Sequence, residues 1–270
     1  MEFAKKLKEN KSKTIIGMIH LDCLVGQKGF KEMNVVIEKA ISDLKKLERG
    51  EVDAVLIENW KDETCGAFVD NEVIECLIEV ISALKKESDI SIGINVLPND
   101  YRAAFRIAKE CSLEFIQLDV FVDKVRTDYI YSNVQPFEID VEIDDFKKVR
   151  DSFKAEEILV FAGIHPKHYK MLDKKSLEKS ASEAVLNGAD VIIVTGEITG
   201  DAPLFDTLIR VKKIIGEKPL FVGSGLNQQN CKELLSICDG AIVGTAFKDK
   251  NFEKVVLEKV KNLMEEVKII

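Results

Sequence analysis

The sequence predicts an α/β protein, a single (β/α)8 TIM barrel, and three observations carry that expectation. Short apolar runs rich in Val and Ile alternate with amphipathic stretches of helical spacing along nearly the whole chain, the rhythm of strands buried on both faces of a parallel sheet and joined by crossover helices. Glycine-bearing turns concentrate late, closing the apolar runs at 189–196, 219–225 and 239–245, where a barrel of this type holds anions after its seventh and eighth strands. The 270 residues fit one barrel, residues 1–270 as a single domain with 1–11 as a helical extension, and no compositional break marks a linker. A doubly wound open sheet would instead carry its glycine-rich turn after the first strand, where this chain has Ile19, His20, Leu21 and Asp22.

Each element follows in order. Residues 1–11 form a basic amphipathic segment, expected as a helix near the bottom of the barrel. The first strand, 14–19, delivers His20 and Asp22 at its C-terminal end. Val36, Ile37, Ala40, Ile41, Leu44 and Leu47 keep helical spacing up to Gly50, a candidate C′ cap. Strand two, 53–57, ends in Glu58, Asn59 and Trp60, and helical spacing resumes from Val73 to Leu84. Strand three, 90–97, is closed by Pro98, after which Asn99 or Asp100 caps a helix through Ala103 and Ala108. Strand four is 115–120. The longest connection, 121–157, holds a polar and aromatic cluster at 128–133 and a helix near 144–153; long βα connections carry binding residues or a lid. Strand five, 158–164, runs into His165, Lys167 and His168, and a helix through Leu177 and Leu186 precedes the three glycine-ended strands. Helices at 230–235 and 252–267 finish the ring.

The composition narrows the partners. Net charge is −8 with a pI of about 5.2, and the basic residues are scattered among acidic ones, which argues against nucleic acid as the main partner. No apolar run is long enough to cross a bilayer and the N-terminus lacks an apolar signal core, so a cytoplasmic protein is expected, with the basic N-terminal segment as the only feature suited to peripheral membrane contact. The six cysteines show no paired metal-ligand spacing and read as free buried thiols. Association into homo-oligomers through the outer helices is compatible with such a barrel.

A barrel brings every residue just after a strand to one mouth. Collected there are His20, Glu58, Asn95, Asp119, His165, Lys167 and His168, which include all three histidines of the chain. Asn99 and Asp100 read first as helix caps and Asp22 as a turn residue. Glu58 and Asp119 end strongly apolar strands, where a carboxylate is costly to bury unless paired, hydrogen-bonded or bound to a cation. Two chemistries are open: a general acid and base set, or a divalent metal ion held among His20, Glu58, Asp119 and His165. Lys167 adds Schiff-base chemistry as a third route. On the other side of the mouth, Thr195, Gly196, Gly223, Ser224, Gly225, Gly244 and Thr245 form a candidate phosphate site built from small residues and hydroxyls. No dinucleotide fingerprint is present, so no redox cofactor is expected.

An ordered series of short motifs resembles the BtpA/SgcQ family of predicted TIM-barrel proteins: Gly17 to Leu21, Asp53 to Asn59, Gly93 to Leu97 with Asn99 and Asp100, Lys167 and His168, Thr195 and Gly196 with Thr199 and Gly200, Gly223 to Gly225 with Asn230, and Asp239 to Gly244 with Lys248. The resemblance runs from about Ile16 to Met264. Asp119 stands where that family commonly has asparagine, and Pro98 where it commonly has arginine. The resemblance implies one of two roles. One is an enzyme acting on a phosphorylated small molecule, a sugar phosphate or nucleotide-like compound, by lyase, isomerase or glycosyl or phosphoribosyl transfer chemistry. The other is a non-catalytic factor for assembly of a membrane protein complex, as for photosystem I in the founding member.

Overall fold

The computed structural model describes residues 2–9, 12–63, 66–127 and 135–270. Among them the chain forms, in order, α1 (Glu2–Glu9), β1 (Thr14–His20), α2 (Met33–Arg49), β2 (Ala54–Glu58), α3 (Asn71–Glu87), β3 (Ser91–Asn95), α4 (Tyr101–Glu110), β4 (Phe115–Leu118), β5 (Lys124–Thr127), β6 (Glu138–Asp140), α5 (Ile143–Ser152), β7 (Leu159–Ile164), β8 (Tyr169–Met171), α6 (Leu177–Leu186), β9 (Val191–Val194), α7 (Phe205–Ile215), β10 (Leu220–Val222), α8 (Cys231–Leu235), β11 (Gly240–Val243), a 3-10 turn at Thr245–Phe247, and α9 (Leu257–Val267).

Eight of the strands close into a parallel barrel in the order β1, β11, β10, β9, β7, β4, β3, β2, with β1 pairing on one side with β11 and on the other with β2. All eight strands expected from the sequence are therefore present, in the expected succession. Alternation along the strands separates two apolar layers. Ile16, Met18, Leu56, Phe115, Phe161, Ile193, Phe221 and Ile242 fill the interior, while the intervening residues, such as Ile15, Ile19, Val55 and Ile57, pack outward against the helices.

The N-terminal helix has a defined place in this scheme. Phe3 and Leu7 of α1 belong to the interior cluster, and the Phe3 ring lies 5.1 Å from that of Phe115 and 6.4 Å from that of Phe161. Lys6 of α1 pairs with Asp53, whose second oxygen accepts from the Ile15 N–H at 2.7 Å. The helix thus plugs the end of the barrel where the strands begin, and burying its two apolar side chains contributes about 3–6 kcal/mol by area.

Three local expectations are revised. A three-stranded antiparallel sheet, β6-β5-β8, joins the connections after β4 and β7; its strands of three and four residues alternate too briefly to read from sequence. The cluster at 128–133 and Cys65 lie outside the described residues. Gly50 is not a left-handed cap: its φ is −87°, and a Cβ there would sit 2.3 Å from a Val260 methyl, so close packing against α9 requires the glycine. The last helix starts only at Leu257, because residues before it are held by an isolated bridge between Lys248 and Val255. The five described cysteines are free, four of them buried and Cys23 half-buried.

Candidate active site at the barrel mouth

Parallel register sets the first part of the site. His20 stands opposite Glu58, Glu58 opposite Asn95, and Asn95 opposite Gln117, so four neighbouring strands present polar side chains at one level where lower levels are apolar. The Asn95 amide nitrogen, fully buried, donates to Glu58 Oε2 at 3.0 Å and to Asp119 Oδ1 at 3.2 Å. Gln117 Nε2 donates to the same Asp119 oxygen at 3.0 Å. One amide thus bridges two carboxylates that come from different strands.

That arrangement sets the protonation. Burial, and then the Asp119 charge, push the Glu58 carboxyl up to about 7, against the pull of Lys167, the Asn95 hydrogen bond and Lys248. Burial, reinforced by the charges of Lys248, Lys167 and Lys39, holds the His20 imidazole down at about 3. With His20 neutral, its 3.8 Å contact to Glu58 Oε1 is not an ion pair. The imidazole is positioned by stacking on Trp60, with centroids 5.2 Å apart and planes 30° apart.

Lys167 contributes charge to His20, Glu58 and His168, and its backbone N–H donates to Thr195 Oγ1 at 3.1 Å. His168 lies on the rim, its Nε2 2.7 Å from Thr199 Oγ1; partial burial of the imidazole, and then the Lys167 charge, lower its pKa. His165 does not join His20, Glu58 and Asp119. Its backbone is left-handed, with φ 44°, and its N–H is pinned to Asp123 Oδ2 at 2.7 Å, while the other Asp123 oxygen accepts from Ser180 on α6. Among the described residues no group of three or more His, Cys, Asp or Glu is placed to hold a metal ion.

The glycine side is built differently. The Ser224 hydroxyl accepts from the Gly196 N–H at 3.0 Å and donates to the Asp201 carbonyl at 2.8 Å, so it fastens the turn after β10 to the loop after β9. Gly225 has φ 74°, and a Cβ there would lie 2.1 Å from the Ala202 nitrogen. Ser224 and Gly225, expected as anion ligands, are thus engaged in packing two loops together, a use that the pattern of small residues cannot distinguish from phosphate binding. Gly223, Gly244 and Thr245 remain half-buried at the mouth. A Cβ on Gly244 would come within 3.1 Å of His20 Cε1, so the two sides of the mouth meet at that glycine.

The cap readings are sharpened. Asp100 Oδ1 accepts from the Ala103 N–H at 2.8 Å and caps α4. Asn99 instead makes two hydrogen bonds to the Val120 backbone, 2.8 and 2.9 Å, holding the end of β4. Asp22 is no turn cap: it pairs with Lys39 and Lys61, each at 2.7 Å, and both lysines also reach Glu253.

One residue, Gln117, escaped the sequence reading, and a second, Lys248, entered it only as part of the family resemblance, with no role. Gln117 lies within β4, and its signal is the alternation Phe115, Gln117, Asp119 on the inward face. Lys248, 1% exposed, pairs with equally buried Asp43 of α2 at 3.3 Å; burial lowers its pKa against the pull of Asp43. The resemblance marks Lys248, but nothing in the sequence names Asp43 as its partner. Two surface cavities of about 320 and 580 Å³ lie away from the mouth, one beside α5 and α6 and the other beside α1.

Comparison with known proteins places the chain. The model of the BtpA family matches residues 11–269. An uncharacterized protein of Archaeoglobus fulgidus is 33% identical over 237 residues, covering 87% of this chain and 92% of that one. The photosystem I biogenesis protein BtpA of Synechocystis is 27% identical over 87% of this chain and 80% of its own. Among solved structures, thiamine phosphate pyrophosphorylase from Pyrococcus furiosus superposes with a TM-score of 0.58 at 15% identity, covering 96% of this chain and 97% of that one. Phosphoribosyl anthranilate isomerase from Thermus thermophilus gives 0.58 at 10% identity, covering 95% and 98%. At such identities the likeness is one of fold.

Proposed function

The chain belongs to the BtpA family, and from that premise we propose that it is an enzyme acting on a phosphorylated small molecule at the barrel mouth by acid/base chemistry. The observation that carries the reading is the bridged carboxylate pair: Glu58 and Asp119 joined through Asn95 Nδ2, with the Glu58 carboxyl pushed up to about 7. A carboxyl that changes protonation near neutrality can both take and return a proton at the working pH. Neutral His20 beside it serves as a hydrogen-bonding partner rather than a cation.

In this reading the phosphate lies over Gly223, Gly244 and Thr245, with Thr195 and Gly196 alongside. Support comes from the half-buried glycines after the seventh and eighth barrel strands and from a fold shared with enzymes whose names carry phosphorylated substrates. Lys167 supplies positive charge between the two sides, and His168 with Thr199 borders the entrance. A lysine nucleophile and a metal-assisted route are weaker, the second because among the described residues no three of the candidate His, Asp and Glu side chains are placed to share an ion.

The test is a thermal-shift screen of inorganic phosphate and phosphate esters on the wild type and Gly244→Val, whose side chain points at His20 and fills the mouth. A ligand at one hundred times its Kd stabilises by about 2.7 kcal/mol. The expected result is a shift in the wild type that Gly244→Val loses, and conversion of the bound ester, followed by phosphorus NMR, that Glu58→Gln loses while still binding. If no phosphorylated compound shifts the wild type, the reading fails and the non-catalytic assembly role suggested by the Synechocystis relative's name takes its place.

A further inference from the structure

The bridged carboxylates leave two atoms over. Asn95 Oδ1 and Gln117 Oε1 are both buried and have no hydrogen-bond partner, although the nitrogens of the same two amides are engaged with Glu58 and Asp119. The amide orientation follows from its surroundings, because turning either group would face an oxygen to a carboxylate. Buried acceptors without partners are rare in folded proteins and cost about 1–3 kcal/mol each. Here both belong to the same cluster and lie on register partners of adjacent strands, spaced about 5 Å apart at the backbone.

We propose that Asn95 Oδ1 and Gln117 Oε1 are the floor of a subsite that receives the hydroxyl-bearing end of a sugar phosphate. Two acceptors on separate strands require at least two donors held at a fixed spacing. Neighbouring hydroxyls on a sugar ring or chain present them, and the carboxylates of Glu58 and Asp119 accept further hydroxyl protons. A carboxylate-bearing end of the substrate would bring only acceptors to this floor and would sit beside Glu58 and Asp119 with the same sign of charge. A metal ion would have to displace the Asn95 amide from between the two carboxylates, where its nitrogen already satisfies both. The inference deepens the proposed function at the end of the ligand opposite the phosphate and rests on that reading for the phosphate alone.

The test uses titration calorimetry on the full chain with inorganic phosphate, 2-phosphoglycerate, ribose 5-phosphate, fructose 6-phosphate, glucose 6-phosphate, free ribose and magnesium chloride. At least one sugar phosphate is expected to bind ten-fold or more tighter than inorganic phosphate and 2-phosphoglycerate. Gln117→Met, which removes the Oε1 acceptor together with the Nε2 donor to Asp119 at nearly constant volume, is expected to erase most of that advantage and leave inorganic phosphate within two-fold. Asn95→Ser serves as the second variant, with circular dichroism checking that each folds.

Equal binding of 2-phosphoglycerate and the sugar phosphates overturns the subsite while leaving the phosphate reading standing. Binding of free ribose that depends on Gln117, without binding of any phosphate, supports the subsite and sinks the phosphate reading. Loss of all ligands alike in a folded Gln117→Met overturns the subsite in favour of a structural role. Magnesium binding that Gln117→Met abolishes also overturns it, by showing the acceptors to be cation ligands. No binding of any probe to the wild type overturns both.

Discussion

The two sides of the barrel mouth solve opposite problems. On the side of β1 to β4, the functional atoms are side chains: His20, Glu58, Asn95, Gln117 and Asp119 face one another in register, and their polarity is only partly consumed by mutual contacts. On the side of β9 to β11, the side chains have been removed, and the one hydroxyl retained in the Gly-Ser-Gly turn is spent between Gly196 and Asp201. The first side stores unmet electrostatic demand; the second stores room. The contrast teaches that a site is identified less by how many polar residues it has than by which of their atoms remain unused.

The largest expected effect comes from cutting the bridge on the acidic side. Asn95→Leu leaves Glu58 without its amide donor and Asp119 with only the Gln117 Nε2 donor, and urea denaturation at pH 8 should show a loss of about 2–4 kcal/mol. The loss should shrink at pH 5, where Glu58 takes up its proton. A loss independent of pH would mean that the amide serves packing alone.

The next effect separates two residues of the same side by sign. Folded Glu58 keeps its proton up to about 7, while the unfolded carboxyl releases it near 4.5; the folded state binds more protons in that window, so this contribution is full below 4.5 and is lost as pH rises to 7. His20 runs the other way: unfolded it binds a proton below 6.5, folded only below about 3, so its contribution grows as pH rises through that range. Over the two pH units from 4.5 to 6.5 each changes stability by about 2–3 kcal/mol. Stability measured from pH 4.5 to 6.5 should tilt upward with pH in Glu58→Gln and downward in His20→Gln, relative to the wild type. Parallel curves in both variants would remove the electrostatic account of this side.

On the glycine side the effects are smaller and should not depend on pH. Ser224→Ala leaves the Gly196 N–H without its acceptor and should cost about 1–3 kcal/mol in the same denaturation assay, with an unchanged slope against urea. Smallest of all, Gly244→Ala places a Cβ 3.1 Å from His20 Cε1 and should cost under about 1 kcal/mol. A strong pH dependence in Ser224→Ala would blur the division between the two sides.

The barrel was legible because its strands are long in apolar residues and separated by helices whose spacing is unmistakable: Ala54–Glu58 and Val191–Val194 need no tertiary information to be recognised. The small sheet was not, since Glu138–Asp140 and Tyr169–Met171 both pair with Lys124–Thr127, which is distant from Tyr169 in sequence. At the mouth, strand ends named His20, Glu58, Asn95 and Asp119 correctly as neighbours. Gln117 was hidden because it sits one pleat inside a strand end, and the pairing of Lys248 because its partner Asp43 is 205 residues away. His165 was grouped with the carboxylates by its strand-end position, and its left-handed backbone breaks the alternation on which that grouping rests.

The helix that plugs the bottom makes the barrel a cup rather than a tube. Phe3 closes over Phe115 and Phe161, and Leu56, two residues below Glu58 on β2, belongs to the same dry column. Glu58 is hard to ionise partly because water cannot reach it from beneath. Loosening α1 would open that column from below, so the dryness beneath the rim depends on a phenyl ring at the opposite end of the barrel.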